Sequence, residues 1–406
     1  MPNPQVLSPR IRGFICVNAH PGGCAANVDR QIAVAQAGSS GASGSASPGF
    51  GAALVIGAST GYGLSSLITT TFGYGADAVA VGYERQNQGP RTASAGWYNL
   101  AAVARRAKEA GRAVHNVNGD AFTNEIKAET IAAVKRLGKK VDAVIYSLAA
   151  PRRTDPTTGE SFTSVLKPLG QAYSSKSIDL NTDQLTSVQL EPATEADVAA
   201  TVKVMGGEDW ALWMKALAAE DLLAEGCHTV AYSYLGPELT YPIYRSGTIG
   251  KAKEHLERTA AALDAELRGR LGGRAVVSVN KALVTQASSA IPVVPLYISI
   301  LFKVMKEKGT HEGTIEQIVR LYRDHLGPGK TPQLDEGGRI RLDDRELAPD
   351  VQSTGLALWH AVTNENLFAT TDYAGFKREF RELFGFEVPG VDYTQPVDID
   401  VPLNLA

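Results

Sequence analysis

The stretch AALVIGASTGYGL, residues 52–64, decides the fold. Residues 52–56 are an unbroken apolar run, too short for an amphipathic helix, and read as a strand buried on both faces. Gly57 ends the run. Leu64, Leu67, Ile68, Thr71 and Phe72 then recur at three- and four-residue spacing up to Gly73, the pattern of a helix with a glycine stop.

The alternation continues downstream. Strand-like runs at 78–82, 113–117 and 141–148 are separated by helical patterns at 100–110, stopped by Gly111, and at 124–137, stopped by Gly138. Thr194 and Asp197 form a capping box that opens another helix, and further strands are expected at 228–234 and 275–279. Continuous apolar strands alternating with helices imply a parallel sheet covered on both faces: an α/β, doubly wound, Rossmann-type fold. The chain is expected to be one domain, with a dinucleotide-binding core over 51–285, a lid and following helix over 286–330, and C-terminal additions over 331–406 packed on the core. Before the core, residues 37–50 are Gly/Ser-rich and read as a flexible surface connection.

Composition narrows the function classes. The chain has 406 residues, 44% of them hydrophobic and 20% charged, which excludes a disordered or fibrous protein. Forty Lys and Arg against 43 Asp and Glu give a net charge of −3, with no basic stripe for a phosphate backbone, so nucleic acid is not expected as a partner. Three cysteines, an odd number without paired spacing, fit a reducing cytoplasm. The most apolar stretch, 291–305, carries Pro292, Pro295 and Lys303 and is too short to span a membrane. Cys16, His20 and Cys24 lie four apart, but Pro21, Gly22 and Gly23 are expected to break a shared helix, and no metal is assigned. His311 and Glu312 begin a zinc-protease pattern that Ile315 ends.

Gly57, Gly61 and Gly63 follow the first strand with G-x-x-x-G-x-G spacing, where a dinucleotide pyrophosphate needs close backbone approach and free helix N–H groups. The same letters contain G-x-S-x-G at Gly57, Ser59 and Gly61, the nucleophile elbow of α/β-hydrolases. The motif alone does not choose. An elbow normally follows several strands, whereas this turn follows the first, and Glu84 ends the next strand 21 residues after Gly63. A carboxylate there accepts ribose hydroxyls and repels a 2′-phosphate, which favours NADH over NADPH; Arg85 beside it works the other way. Asp120 is placed for the adenine amino group or, equally, for a turn. The dinucleotide contacts expected on this face are Gly57, Ser59, Gly61, Tyr62, Gly63, Glu84, Arg85, Asp120, Ala121, Ser147, Leu148 and Ala149.

After the fifth strand comes YSYLGPELTYPIYRSGTIGKAK, residues 232–253, with Tyr232, Tyr234, Tyr241 and Tyr244 within thirteen residues and Lys251 and Lys253 behind them. A tyrosine hydroxyl can hydrogen-bond the oxygen that gains charge during hydride transfer, and a lysine beside it lowers its pKa. Bringing a phenol from about 10 to near neutrality takes roughly 3 to 4 kcal/mol. One ammonium at about 4 Å supplies about that much at an effective dielectric near 20. Tyr244 and Lys253 are nine apart and cannot share a helix face, so Tyr244 must precede the helix that carries Lys253.

At this point the sequence resembles the FabV-type trans-2-enoyl-CoA and enoyl-acyl-carrier-protein reductases, a long branch of the short-chain dehydrogenase superfamily. The similarity runs from about Gly13 to Tyr393 and is carried by RGFICVNAHPGGC, VIGASTGYGL, NGDAF, YSLAAPRRTDP, YSYLGPE, IGKAK, VTQASSAIPVVPLYIS and LFKVMKEKGTHEG. The resemblance implies catalysis by Tyr244 and Lys253, the family's tyrosine and lysine with eight residues between them, with Tyr234 as the second active-site tyrosine. It implies Lys253, Thr285 and Ala287 on the cofactor side, and Tyr234, Tyr244, Ile291 and Pro292 on the substrate side. It further implies NADH, an enoyl-CoA or enoyl-acyl-carrier-protein substrate, a monomer, and a helical substrate lid at 292–305. The competing readings are a carbonyl reductase of the same fold, a hydrolase using Ser59, and a non-catalytic nucleotide-binding module.

Overall fold

The computed structural model describes residues 4–39, 49–289 and 291–404. Seven strands make the central sheet: β1 Ala52–Ile56, β2 Asp77–Gly82, β3 Val114–Asn118, β4 Val141–Tyr146, β5 Leu223–Ser233, β6 Arg274–Val279 and β7 Arg339–Arg341. Their order is β7-β6-β5-β4-β1-β2-β3, and every pairing is parallel. The order reverses between β1 and β4, so the crevice for a ligand opens beyond the carboxyl ends of those two strands.

Strand alternation explains why these runs carry no polar face. Ala53, Val55, Ala78, Ala80, Ala143, Ile145 and Val276 enter one apolar core, whereas their neighbours Leu54, Ile56, Val79, Val81, Val144 and Val277 enter a second on the opposite face. Beside the first lie α1 (Pro21–Ser39), α2 (Gly61–Ile68) and α3 (Ala95–Glu109). Beside the second lies α4 (Asn124–Leu137), ended by Gly138 in the left-handed conformation. The helices α6 (Glu208–Ala219) and α7 (Thr248–Leu271) complete the second layer, and α5 (Glu195–Met205), with its Thr194–Asp197 capping box, packs on α7.

After β6 the chain forms α8 (Gln286–Ser289), α9 (Val294–Glu307) and α10 (Thr314–Leu321); after β7 it forms α11 (Pro349–Ala361), α12 (Leu367–Thr370) and α13 (Tyr373–Glu382). Both α11 and α13 pack on α9.

Two expectations change and one element is new. Cys16 lies in a short strand and His20 before the helix, so no helix joins them to Cys24, as expected; Pro21 opens the new helix α1, because proline in the first turn has no N–H to lose and its φ suits a helix. Gly23 serves close packing: a Cβ there would lie 1.7 Å from the Gly385 carbonyl oxygen. Of the Gly/Ser stretch, Ala37, Gly38 and Ser39 end α1, with Ser39 buried; residues 40–48 lie outside the described residues. The helix expected as a lid at 292–305 is a core helix, with eleven residues from Val294 to Met305 buried under α11 and α13. Its accessible edge is α8 and the half-buried Ile291 and Pro292.

The two sheet edges are finished differently. At one, Arg339 and Arg341 of β7 pair with Asp335 and Asp343. At the other, Asn404 docks its side-chain amide on β3, accepting from the Asn116 N–H (2.9 Å) and donating to the Asn116 carbonyl (3.0 Å).

Candidate active site

The glycine turn lies in the crevice between β1 and β4. Gly57 has φ +85°, and a Cβ on it would fall 2.1 Å from the Ser147 carbonyl oxygen; one on Gly63 would fall 1.9 Å from the Gly57 carbonyl. Only glycines allow this stacking of turn, strand end and helix. Helix α2 starts at Gly61, and Thr60 at its N-cap gives no side-chain hydrogen bond, so the first-turn N–H groups have no side-chain cap. Ser59 is buried, its carbonyl accepting from Asn99 Nδ2 (3.0 Å). Among the described residues no histidine bonds Ser59, so the hydrolase elbow lacks its base.

At the end of β2, Asn118 brackets Glu84: its Oδ1 accepts from the Glu84 N–H (2.8 Å) and its Nδ2 donates to the Glu84 carbonyl (3.0 Å). The Glu84 carboxylate lies against the first turn of α3, 2.2 Å from where a Gly96 Cβ would stand, beside Ser59. Arg85 turns away toward the Thr92 carbonyl, and its N–H is bonded by Ser94. Asp120 makes a turn, with Oδ1 accepting from the Phe122 N–H (3.0 Å). Burying this loop is Lys127, whose Nζ donates to the carbonyls of Ala121 and Phe122 and to Asp209 Oδ1 (2.7 Å). Ser147 N–H bonds the Ile56 carbonyl; Leu148 is half-buried and Ala149 exposed.

The tyrosines separate. Tyr232 shares a 2.6 Å hydrogen bond with Ser66 of α2, and its carbonyl accepts from Lys253 Nζ (3.1 Å). Tyr234 and Tyr244 meet edge to face, ring centres 4.8 Å apart. Tyr241 lies under Arg245 instead. Lys251 faces outward in an ion pair with Glu254, so of the two lysines only Lys253 points into the site. Tyr244 precedes α7 and Lys253 sits in its second turn, as the nine-residue separation requires. The expected lowering of Tyr244 by Lys253 is not seen. Burial and then the Glu346 charge push the Tyr244 phenol above its ordinary range, and the lysine bonds the Tyr232 carbonyl instead. Burial lowers Lys253 itself to about 8.

Residues 281–289 cross over the turn. Thr285 Cγ2 lies 3.6 Å from the Cβ position of Gly61, and Tyr62 Oη donates to the Lys281 carbonyl (2.8 Å). Thr285 and Ser288 bond each other reciprocally at the start of α8, leaving Ala287 exposed. Val293, with φ +74°, turns the chain into α9.

Sequence reasoning missed the group behind the tyrosines. Glu346, fully buried in the loop after β7, accepts at Oε1 from Tyr234 Oη (3.0 Å) and Tyr297 Oη (2.7 Å), and at Oε2 from the Ala282 N–H (2.7 Å). Its stretch, RLDDRELAPD, reads as a solvated charge run, and only the fold shows that one carboxylate turns inward.

Sequence models of the family match three consecutive segments: "NAD(P)H binding domain of trans-2-enoyl-CoA reductase" at 6–89, "Trans-2-enoyl-CoA reductase catalytic region" at 91–326, and "Enoyl reductase FAD binding domain" at 334–397. The chain belongs to the trans-2-enoyl-CoA reductase family. It is 53% identical to an enoyl-[acyl-carrier-protein] reductase [NADH] of Opitutus terrae, over 98% of this chain and 100% of the relative. It is 50% identical to a trans-2-enoyl-CoA reductase [NADH] of Clostridium perfringens, over 97% and 99%. The solved trans-2-enoyl-CoA reductase of Treponema denticola in complex with NAD superposes with a TM-score of 0.93 at 47% identity, over 99% and 100% of the two chains. This trans-2-enoyl-CoA reductase fold is thus an NADH-dependent oxidoreductase of trans-2-enoyl thioesters.

The glycine cradle and the inward-facing Glu84 fit a nicotinamide dinucleotide. Residues 334–397 do not fit a flavin: β7 runs into a charged turn without a glycine, the helix α11 behind it carries Asp350 in its first turn, and α11 and α13 bury Val351, Trp359, Phe376 and Phe380 against the core. No step is derived through FAD.

Proposed function

We propose that Tyr244, with Tyr234, stabilises the enolate oxygen formed when a trans-2-enoyl-CoA or enoyl-acyl-carrier-protein thioester is reduced to the saturated acyl thioester. NADH, when bound, supplies hydride to the β carbon. Gly57, Ser59, Gly61, Tyr62 and Gly63 hold the pyrophosphate at the α2 N-terminus; Glu84 takes the adenosine ribose and, with Arg85 turned to Thr92, disfavours NADPH. Asp120 and Ala121 face the adenine, and Ser147, Leu148 and Ala149 the ribose beyond it. Lys253, Thr285 and Ala287 close the nicotinamide side.

The observation that carries this reading is the Tyr234–Tyr244 pair at the carboxyl end of β5, linked through Tyr232 and Lys253 to the helix of the glycine turn. A hydroxyl presented from a dry wall stabilises a developing oxyanion more strongly than the same group in water. Among the described residues Tyr244 Oη has no hydrogen-bond partner, so it is free to take the thioester oxygen. Ile291 and Pro292, half-buried before α9, line the acyl side.

The 286–330 segment then acts as a fixed substrate wall, and the chain works as one domain, a cytoplasmic monomer serving fatty acid synthesis. Three buried free thiols support a reducing compartment, and no described helix is long and apolar enough to cross a membrane. The test is loss of NADH absorbance with crotonyl-CoA. Tyr244→Phe should lower kcat by about 10²-fold or more while NADH affinity stays within about twofold. Unchanged turnover would remove Tyr244 from the mechanism.

A further inference from the structure

Behind Tyr234 the hydrogen bonds are directional. A carboxylate only accepts, so while Glu346 is ionised both phenol protons, of Tyr234 and of Tyr297, must point at its Oε1. Tyr234 then has no proton to offer a substrate. A proton on Oε1 reverses one of these bonds, and the surroundings decide which. Tyr297 Oη already accepts from Gln352 Nε2 (3.2 Å), whose amide also holds the Glu346 carbonyl (2.7 Å), so Tyr297 keeps its proton on Glu346. Oε2 is occupied by the Ala282 N–H. Tyr234 is the phenol that is released.

We propose that Glu346 is a positioning residue of the reduction, acting through Tyr234: its proton turns the Tyr234 hydroxyl into the site and replaces the proton Tyr234 gives up. This rests on the reductase reading above. In the step, the Tyr234 O–H bond breaks as the C–H bond forms at the α carbon of the enolate, and the electron pair of the enolate makes that bond. The Glu346 proton passes to the Tyr234 oxygen, and water reprotonates the carboxylate. Hydride and proton together complete the saturated thioester.

The groups around Glu346 suit the role. The tyrosines 62, 234, 244 and 297 face it from α2, the β5 end, the loop before α7, and α9, and burial raises its pKa. The cation acting on it is Lys281, whose Nζ donates to the Ala282 carbonyl and lies over the Phe302 ring without pairing directly with the acid. Glu312, Glu379 and Lys306 act on Lys281 in turn.

The test is kcat against pH with saturating NADH and crotonyl-CoA. Wild type should lose turnover on the alkaline side along one limb, because the protonated acid is the working form. Glu346→Gln donates permanently to Tyr234 but cannot recharge it. It should lower kcat by at least about tenfold and abolish that limb, with the NADH KM unchanged. Glu346→Asp should keep the limb at a reduced rate. If Glu346→Gln does not fold, Tyr234→Phe must remove the same limb. A limb that persists in Glu346→Gln or in Tyr234→Phe assigns it to Lys253 or Lys281 and overturns the proposal, as does a flat wild-type profile. Absence of turnover in wild type at every pH would instead overturn the reductase reading itself.

Discussion

Lys127 and Lys281 are buried on opposite faces of the sheet, and each lies 5.0 Å from the centre of an aromatic ring, Trp213 for one and Phe302 for the other. Each also has a buried carboxylate and a tyrosine nearby, yet the two clusters are wired differently. Lys127 closes directly on Asp209 at 2.7 Å, and Asp209 accepts from Tyr146. The pair neutralises itself and pins the Asp120–Ala121–Phe122 loop. Lys281 instead bonds a carbonyl, while its acid, Glu346, is held by two phenols and a backbone N–H. An acid solvated by neutral donors keeps a mobile proton, whereas an acid locked to an ammonium does not. The first arrangement serves architecture, the second serves chemistry.

Breaking the closed pair should give the largest effect. Lys127→Met leaves Asp209 charged and unpaired, and should cost about 3–5 kcal/mol of stability by urea unfolding. It should also raise the NADH KM, since the Ala121 and Phe122 carbonyls lose their donor. A variant as stable as wild type would show that the pair is not what holds that face.

Next in size is a pH effect. Burial lowers Lys281 from 10.5 to about 8 in the folded protein, so between those values the unfolded chain binds more protons and stability rises with pH. Below 8 both states are protonated and the contribution is constant. Unfolding at pH 7.5 and 9.5 should show wild type gaining relative to Lys281→Met, with a slope of at most about 1.4 kcal/mol per pH unit. A difference that ignores pH would show that burial does not lower Lys281. The smallest effect is expected from Gln352→Leu. Without the amide, either tyrosine can be the one released, so kcat should fall by roughly twofold; no change would show that Gln352 does not choose between them.

The sheet, its glycine turn and the Tyr244 to Lys253 spacing were legible because each writes a local pattern: an apolar run of five, a glycine triplet, a loop between strand and helix. β7 was not legible, since only Ile340 of its three residues is buried and its arginines read as surface. Helix α1 was missed because Pro21 and two glycines, which do end any helix from Cys16, look like a stop and not a start until the Gly385 backbone is found against Gly23. The lid was misread for the opposite reason: its apolar pattern was plain, but the α11 and α13 layer that buries it comes from 349–382, with no sequence signal joining the two. The same distance hid Glu346, 112 residues from the Tyr234 it holds.

The two sheet edges have a further consequence, for aggregation. An open parallel sheet offers rows of unpaired N–H and C=O groups on which a second chain can add a strand. β7 is short and lined by paired arginines, which a flat incoming strand would have to desolvate. On β3, the Asn404 amide already occupies the pairing groups of Asn116, in the manner of one residue of a neighbouring strand. Asn404→Ala would uncap that register, and light scattering during refolding is where its absence should show first.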